Sequence, residues 1–129
     1  VRSIQPMIFD IHGQRVMLDR DLACLYQVET KYLNRVVKRH EKRFVDFYFK
    51  LTKEETDELV TNCHRLSSLK YLTSYPTVFN EFGISMLSGV LNSDLAILMN
   101  RKIIKIFIQA RHHVNENLAI SNMMEKIKK

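Results

Sequence analysis

The sequence predicts an α+β fold: a small single domain with an N-terminal β-hairpin, a helix-turn-helix-like pair, short strands and a long C-terminal helix. Its 129 residues are enough for one domain with a core, and 46% hydrophobic against 26% charged residues is typical of a globular chain. Two β-rich runs are followed by two short helical patterns and later by a long apolar helical pattern, and this order of periodicities predicts the class.

A β-hairpin is expected at the N-terminus. Pro6 to Ile11 and Gln14 to Leu18 are β-rich runs, and the dipeptide His12-Gly13 between them is a turn signal.

The stretch from Asp19 to Arg43 predicts two short helices joined by a tight turn. Asp19 is expected to cap the first helix and Thr30 the second, because short polar side chains satisfy free N–H groups at helix starts. Leu22, Ala23 and Tyr26 should face inward, with Val28 filling the gap at the turn. Such turns often contain Gly, but Gln27 stands there, so either Gln27 adopts an unfavourable backbone conformation or the turn is built differently.

The second helix is predicted to have a cationic face and an apolar face. Winding it at about 100° per residue places Lys31, Asn34, Arg35, Lys38 and Lys42 on one side and Tyr32, Leu33, Val36 and Val37 on the other. From Lys31 to Arg43 there are six Lys or Arg and one acid, Glu41. This layout favours a recognition helix that presents charge to a polyanion, and the alternative is an ordinary solvated helix.

The remaining elements follow from local signals. Phe47, Phe49 and Leu51 alternate with polar or half-polar neighbours, which predicts a half-buried strand. The spacing of Thr52 and Glu55 is a capping box, which predicts a third helix toward Val60. Thr61 to Ser74 is polar and irregular, and we expect a loop there.

The last third should contain one strand and two helices. Thr77 to Phe79 is predicted as a short strand, and Asn80 as the cap of a fourth helix, before a break at Leu91 to Ser93. A long fifth helix is expected from Asp94 past Arg111. The residues expected to face inward on the fourth helix are Phe82, Met86, Leu87 and Val90.

The charge balance is basic and the acids are segregated. Twenty Lys or Arg against 14 Asp or Glu give a formal charge of +6 and a pI near 9.4, which is one footprint of a nucleic-acid binder. Glu54, Glu55, Asp57 and Glu58 form a cluster apart from the basic helix. The two cysteines, Cys24 and Cys63, form no disulfide framework, so we expect a reducing compartment, with Cys24 as a small buried hydrophobe.

Catalytic and metal-binding patterns are weak. The five histidines are His12, His40, His64, His112 and His113. Neither their spacing nor that of the cysteines is typical of a zinc site, and no Gly-rich loop for phosphate is present. We expect a protein that is not an enzyme and that needs no metal or other cofactor.

Two stretches resemble a phage-type family. HGQRVMLDRDLACLYQVETKYLNRVVKRH, followed by RFVDFYFKLTKEE, resembles the open-reading-frame-six N-terminal (ORF6N) domain of the KilA-N and Bro-N group, and FNEFGISMLSGVLNSDLAI resembles its second half. The resemblance implies a DNA-binding domain of phage or prophage origin, found in bacterial genomes and similar to antirepressors or transcriptional regulators. Two departures are Gln27, where the family commonly has Gly, and Val45, where it commonly has Pro.

The expected function is sequence-specific binding of double-stranded DNA by a regulator or antirepressor acting in the cytoplasm at the nucleoid. The predicted DNA contacts are Thr30, Lys31, Asn34, Arg35, Lys38, Arg39, Lys42 and Arg43. Arg and Asn can read bases through paired hydrogen bonds, whereas Arg39, Lys42 and Arg43 are expected to contact phosphates. The alternative is a protein-interaction module that antagonises a repressor through the fifth helix or the acidic third helix.

Two further expectations concern assembly and boundaries. Ala96, Ile103, Phe107, Ala110 and Val114 recur at near-heptad spacing on an unusually apolar helix, which predicts a homodimer through the helix from Asp94 onward. The alternative is a central helix surrounded by its own domain. The start at Val1 and the polar end suggest a fragment, with residues 1–115 as the DNA-binding domain and 116–129 as a helix extension or linker to a missing domain.

Overall fold

The computed structural model describes residues 4–63, 65–66 and 75–109 of the chain. The strands are β1 (Ile8–Ile11), β2 (Gln14–Leu18), β3 (Tyr48–Lys50) and β4 (Thr77–Asn80). The helices are α1 (Asp19–Tyr26), α2 (Thr30–Arg39), α3 (Lys53–Asn62), α4 (Glu81–Leu91) and α5, which covers residues 94–109. The α+β class, the N-terminal hairpin, the helix pair and the C-terminal helix are therefore confirmed.

The four strands form one antiparallel sheet in the order β1-β2-β4-β3. His12 and Gly13 join β1 to β2 with positive φ angles of 56° and 72°, the backbone of a two-residue hairpin turn that follows the strand twist. The hairpin prediction is confirmed, although β1 begins at Ile8 because Gln5–Met7 forms a short 3-10 helix.

The tip of the hairpin is attached to the start of α3. Nε2 of His12 lies 2.5 Å from Oε2 of Glu55, and the His12 ring stacks on Phe49 with centroids 4.6 Å apart. Glu55 also completes the predicted capping box, since Thr52 and Glu55 each accept a hydrogen bond from the other's backbone N–H. One acidic side chain thus fixes both the helix start and the hairpin.

The fourth helix begins at the predicted cap but buries a different face. The Asn80 side chain accepts a hydrogen bond from the Gly83 N–H at 3.0 Å. A Cβ on Gly83 would lie 2.6 Å from the Phe47 carbonyl oxygen, so only glycine allows this approach. Gly83, Ile84 and Leu87 are buried, whereas Phe82 is 63% exposed and stacks on Phe47 at 5.4 Å. The inward placement of Phe82 was therefore wrong, and that of Leu87 is confirmed.

The fifth helix supplies side chains to the main core. Ala96, Ile103 and Phe107 are buried with residues of α1, α2 and α4. Asn100, a polar residue, is also buried: its amide donates to the Ile84 carbonyl and to the Tyr26 hydroxyl. Burial raises the pKa of that hydroxyl, so it remains a neutral partner.

The packing of α5 bears on two alternatives left open by the sequence, a dimer helix and a helix surrounded by its own domain. Three of the five residues predicted to form a dimer seam are core residues of the same chain, and Ala110 and Val114 lie outside the described residues. The three buried residues are not exposed for contact with a second chain in this arrangement, and association through the helix from Asp94 onward stays a prediction. None of the described helices has both the length and the apolar character needed to cross a membrane.

Candidate nucleic-acid interface

The turn between α1 and α2 has the geometry of a Schellman motif. Gln27 is left-handed, with φ 56° and ψ 46°, and its N–H donates to the Cys24 carbonyl at 3.2 Å. The N–H of Val28 donates to the Ala23 carbonyl at 3.0 Å, and the Val28 side chain packs against the main core. Of the two alternatives at Gln27, the structure shows the unfavourable backbone conformation, at a position where glycine is usual.

Neither predicted capping residue acts as a cap. Leu18 and Glu29 occupy the N-cap positions of α1 and α2, without side-chain cap bonds. Thr30 is the first residue of α2, one position too late to cap it. Asp19 is instead a buried residue of α1 that faces α2 and β4. The predicted caps at Asp19 and Thr30 were wrong.

The Asp19 carboxylate connects three elements. It accepts a hydrogen bond from Nδ2 of Asn34 at 2.8 Å and a longer one from the Thr77 N–H at 3.4 Å. Asn34 is half-buried at the edge of α2 that faces α1. Its amide therefore takes part in the packing of the two helices, which adds a structural role to the predicted contact with DNA.

The first helix also contains the predicted inward residues and one unexpected surface residue. Leu22, Ala23 and Tyr26 are buried, as predicted. Cys24 is exposed, so its assignment as a buried hydrophobe was wrong. Buried Asp21 accepts two hydrogen bonds from Arg65, at 2.9 and 3.0 Å, which ties α1 to the segment after α3.

The solvent face of α2 is a contiguous surface, which we call the α2 arc. Its members are the exposed residues Lys31, Tyr32, Arg35, Lys38 and Arg39. At 100° per residue they span about 120° of the helix circumference, with Arg35 near the centre. Leu33, Val36 and Val37 cover the opposite side and are buried. The two-faced helix is thus confirmed within Thr30–Arg39 except at two residues. Tyr32, which we placed on the apolar face, is 38% exposed, and Asn34, which we placed on the cationic face, is half-buried against α1.

The basic residues continue past the end of the helix. α2 ends at Arg39, where Nδ1 of His40 donates to the Val36 carbonyl at 3.0 Å. Glu41–Arg43 is a short 3-10 helix. The prediction that Lys42 and Arg43 lie on the second helix was therefore wrong. Both are exposed, and the fully buried Phe44 side chain after them anchors the segment.

The cations of this region have no acidic partner within the described part of the chain. The ion pairs found there are His12 with Glu55, Arg15 with Asp10, and Arg65 with Asp21. None involves the six cations of the region, which are Lys31, Arg35, Lys38, Arg39, Lys42 and Arg43. Their charges are therefore directed to solvent, where side chains of one sign reinforce one another's field.

A metal-binding arrangement is not apparent in the same part of the chain. Over residues 4–63, 65–66 and 75–109, no three His, Cys, Asp or Glu side chains lie together as a metal-binding group. His64, His112 and His113 lie outside the described residues. Independence from metal remains a prediction.

Comparison with protein families gives a match that supports the resemblance. The ORF6N domain model matches residues 6–90, which is more than half of the chain. The chain belongs to the ORF6N family. This family is phage-associated, and the matched residues contain the sheet, α1, α2, α3 and nearly all of α4. Searches of curated proteins and of solved structures gave no significant match.

Proposed function

We propose that this ORF6N domain binds double-stranded DNA in a sequence-specific manner as part of a phage- or prophage-derived regulator or antirepressor. Such a protein would act at the nucleoid in the bacterial cytoplasm. The observation that carries the proposal is the α2 arc, in which four cations share one exposed helix face with no acidic partner among the described residues. A helix of this kind on an apolar support is suited to the major groove.

The positions of the side chains separate candidates for base contacts from candidates for phosphate contacts. Arg35, near the centre of the α2 arc, is the best candidate for a paired contact with guanine. Lys31 and Lys38 flank it, with Thr30 at the helix start. Arg39, Lys42 and Arg43 extend the cationic surface beyond the helix end and are suited to phosphates, which position a protein without specifying sequence.

A binding titration with matched variants tests the proposal. Fluorescence anisotropy with duplexes selected from a random pool should give a Kd that rises steeply with salt, because phosphate contacts release counterions. Arg35→Ala with Lys38→Ala should weaken binding by about 1–3 kcal/mol if either residue contacts a base. Lys102→Ala with Lys105→Ala removes the same charge from exposed positions on α5 and should have a much smaller effect. Equal losses in the two double variants would contradict the assignment to α2.

The rival function is repressor binding by a protein-interaction surface. The exposed acids Glu54, Asp57 and Glu58 on α3 support it, because they form a surface of opposite charge to the α2 arc. If this function were the main one, the wild-type domain would bind random and selected duplexes equally weakly. Charge reversal on α3 would then abolish antagonism of the repressor, whereas changes in the α2 arc would not.

A dimer remains part of the proposal, and we place it on the face of α5 that the core leaves exposed. The apolar residues that α5 leaves exposed are Ile97, Leu98 and Ile108. A two-fold dimer through this outward face would present two copies of α2 to a palindromic site.

A further inference from the structure

Tyr32 is an exposed aromatic residue within a cationic surface. It lies in the first turn of α2, and on the helix circumference it falls between Arg39 and the buried Val36. The N-terminal residues of a recognition helix are those that contact base edges. The ring therefore lies at the end of α2 that would contact base edges if α2 is a recognition helix.

Few other side chains of α2 combine exposure with a rigid shape. Lys31 and Lys38 can contact guanine, but each presents a compact point charge on a flexible stem. The Asn34 amide donates a hydrogen bond to buried Asp19. Arg35, Arg39 and Tyr32 remain as exposed side chains with a defined shape, and Tyr32 is the one aromatic residue of this helix.

We propose that Tyr32 is a specificity-determining residue, whose ring packs against the C5 methyl group of a thymine in the major groove. This inference rests on the proposed function. Apolar contact with the thymine methyl is an established mode of direct readout. Arg35 follows Tyr32 by three residues and lies on the same side of the helix, so the two side chains are neighbours. We infer that they contact adjacent base pairs.

A purely structural role for Tyr32 makes a different prediction. As the i and i+4 residues of a helix, Tyr32 and Val36 are neighbours, and the ring could shield Val36 from water. In that case removal of the ring would lower the free energy of unfolding and would leave sequence preference unchanged. Base preference is therefore the measurement that separates the two roles.

The experiment replaces thymine by deoxyuridine, which lacks only the C5 methyl group. A duplex is selected from a random pool with the wild-type domain, and each thymine is replaced in turn. Wild-type affinity should fall about fourfold at one position, the value for one buried methyl group. Tyr32→Ala should bind the selected duplex and the duplex with deoxyuridine at that position with equal Kd. Tyr32→Phe should retain the fourfold difference. Lys31→Ala, a neighbouring control, should weaken binding to both duplexes and keep their ratio.

The possible results distinguish failure of DNA binding from failure of the role assigned to Tyr32. A wild-type domain that binds no duplex would overturn DNA binding and the role of Tyr32 with it. A domain that binds the selected duplex but responds to no thymine replacement would overturn only the role of Tyr32. So would a Tyr32→Ala variant that still discriminates between thymine and deoxyuridine. The wild-type measurement needs no variant, so a lack of response to every thymine replacement overturns the role of Tyr32 even if Tyr32→Ala does not fold.

Discussion

Nδ2 of Asn34 donates a hydrogen bond to Oδ2 of Asp19 at 2.8 Å, and this bond joins the first residue of α1 to the second turn of α2. Asp19 is 6% exposed, so its carboxylate depends on protein donors in place of water. The bond lies at the edge of α2 next to the arc that faces solvent. It therefore fixes the rotation of α2 about its own axis and, with it, the direction of the basic side chains.

Loss of the Asn34 amide should destabilise the domain. Asn34→Ala leaves a buried carboxylate without its closest side-chain donor, and we expect the free energy of unfolding to fall by about 1–3 kcal/mol. Urea denaturation measures the change. Arg35→Ala, one residue away on the exposed face, is the control and should alter stability by no more than about 0.5 kcal/mol. Equal effects of the two substitutions on the free energy of unfolding would show that the hydrogen bond does not stabilise the fold.

Gln27→Gly should stabilise the domain. A left-handed conformation costs a non-glycine residue about 1–2 kcal/mol, and the extra freedom of glycine in the unfolded chain offsets part of the gain. We expect a net increase of about 1 kcal/mol, measured as a rise of roughly 4 °C in Tm. Gln27→Ala keeps the backbone strain and should give no such gain. If both variants had the same Tm, the left-handed backbone would not be the cause.

The parts of the fold that were predicted correctly depend on interactions between residues that are close in sequence. The His12-Gly13 turn, the capping box of Thr52 and Glu55, and the Asn80 cap each need only neighbours in sequence. The α2 arc followed from helix periodicity in the same way. Tyr32 was misplaced because it lies at the boundary between the two faces, where periodicity alone does not decide burial.

The features that were missed depend on contacts between distant residues. Asp19 is a good cap by type, but it is the first residue of α1 rather than the residue before it. Its Oδ1 accepts from the N–H of the next residue, Arg20, and its Oδ2 accepts from Asn34, 15 residues away. Asn100 is polar by type, yet its partner Tyr26 lies 74 residues away. Phe82 is apolar by type, but the approach of Gly83 to Phe47 turns it outward. Residue type alone does not identify such partners.

Stability should fall in the acid range through Glu55. The hydrogen bond from the Thr52 backbone, with smaller effects of the Thr52 hydroxyl and His12, holds the pKa of this carboxyl below its ordinary value of 4.5. Because the pKa of Glu55 is lower in the folded state, its carboxylate stabilises the fold fully at pH values above the pKa of the unfolded chain. This stabilisation is lost as pH falls through the pKa of the folded state. The free energy of unfolding, measured by urea at several acid pH values, should therefore decrease below about pH 4.5.

Matched variants separate this effect from general acid denaturation. Glu55→Gln removes the titrating group, so its stability should depend less on pH over that range than the stability of the wild type. Glu54→Gln is the control, because Glu54 is exposed and precedes Glu55 in the same helical turn. If the two variants followed the same pH profile, the contribution could not be assigned to Glu55.

The dimer prediction now concerns the outward face of α5. Ile97, Leu98 and Ile108 are 48%, 50% and 40% exposed, respectively, and burial of these side chains would favour association. The exposed cations Lys102 and Lys105 lie on the same helix, and repulsion between copies should make association stronger as salt rises. We expect sedimentation at micromolar concentration to give about twice the chain mass of 15.3 kDa. Ile97→Lys with Ile108→Lys should give the monomer mass.

A control substitution makes this result specific. Glu58→Lys adds a charge at an exposed position on α3 and should leave the dimer intact. A wild-type chain that sediments at 15.3 kDa throughout the micromolar range would refute association through α5. In that case the helix would serve the core alone, through Ala96, Ile103 and Phe107, and each domain would present a single α2 to DNA.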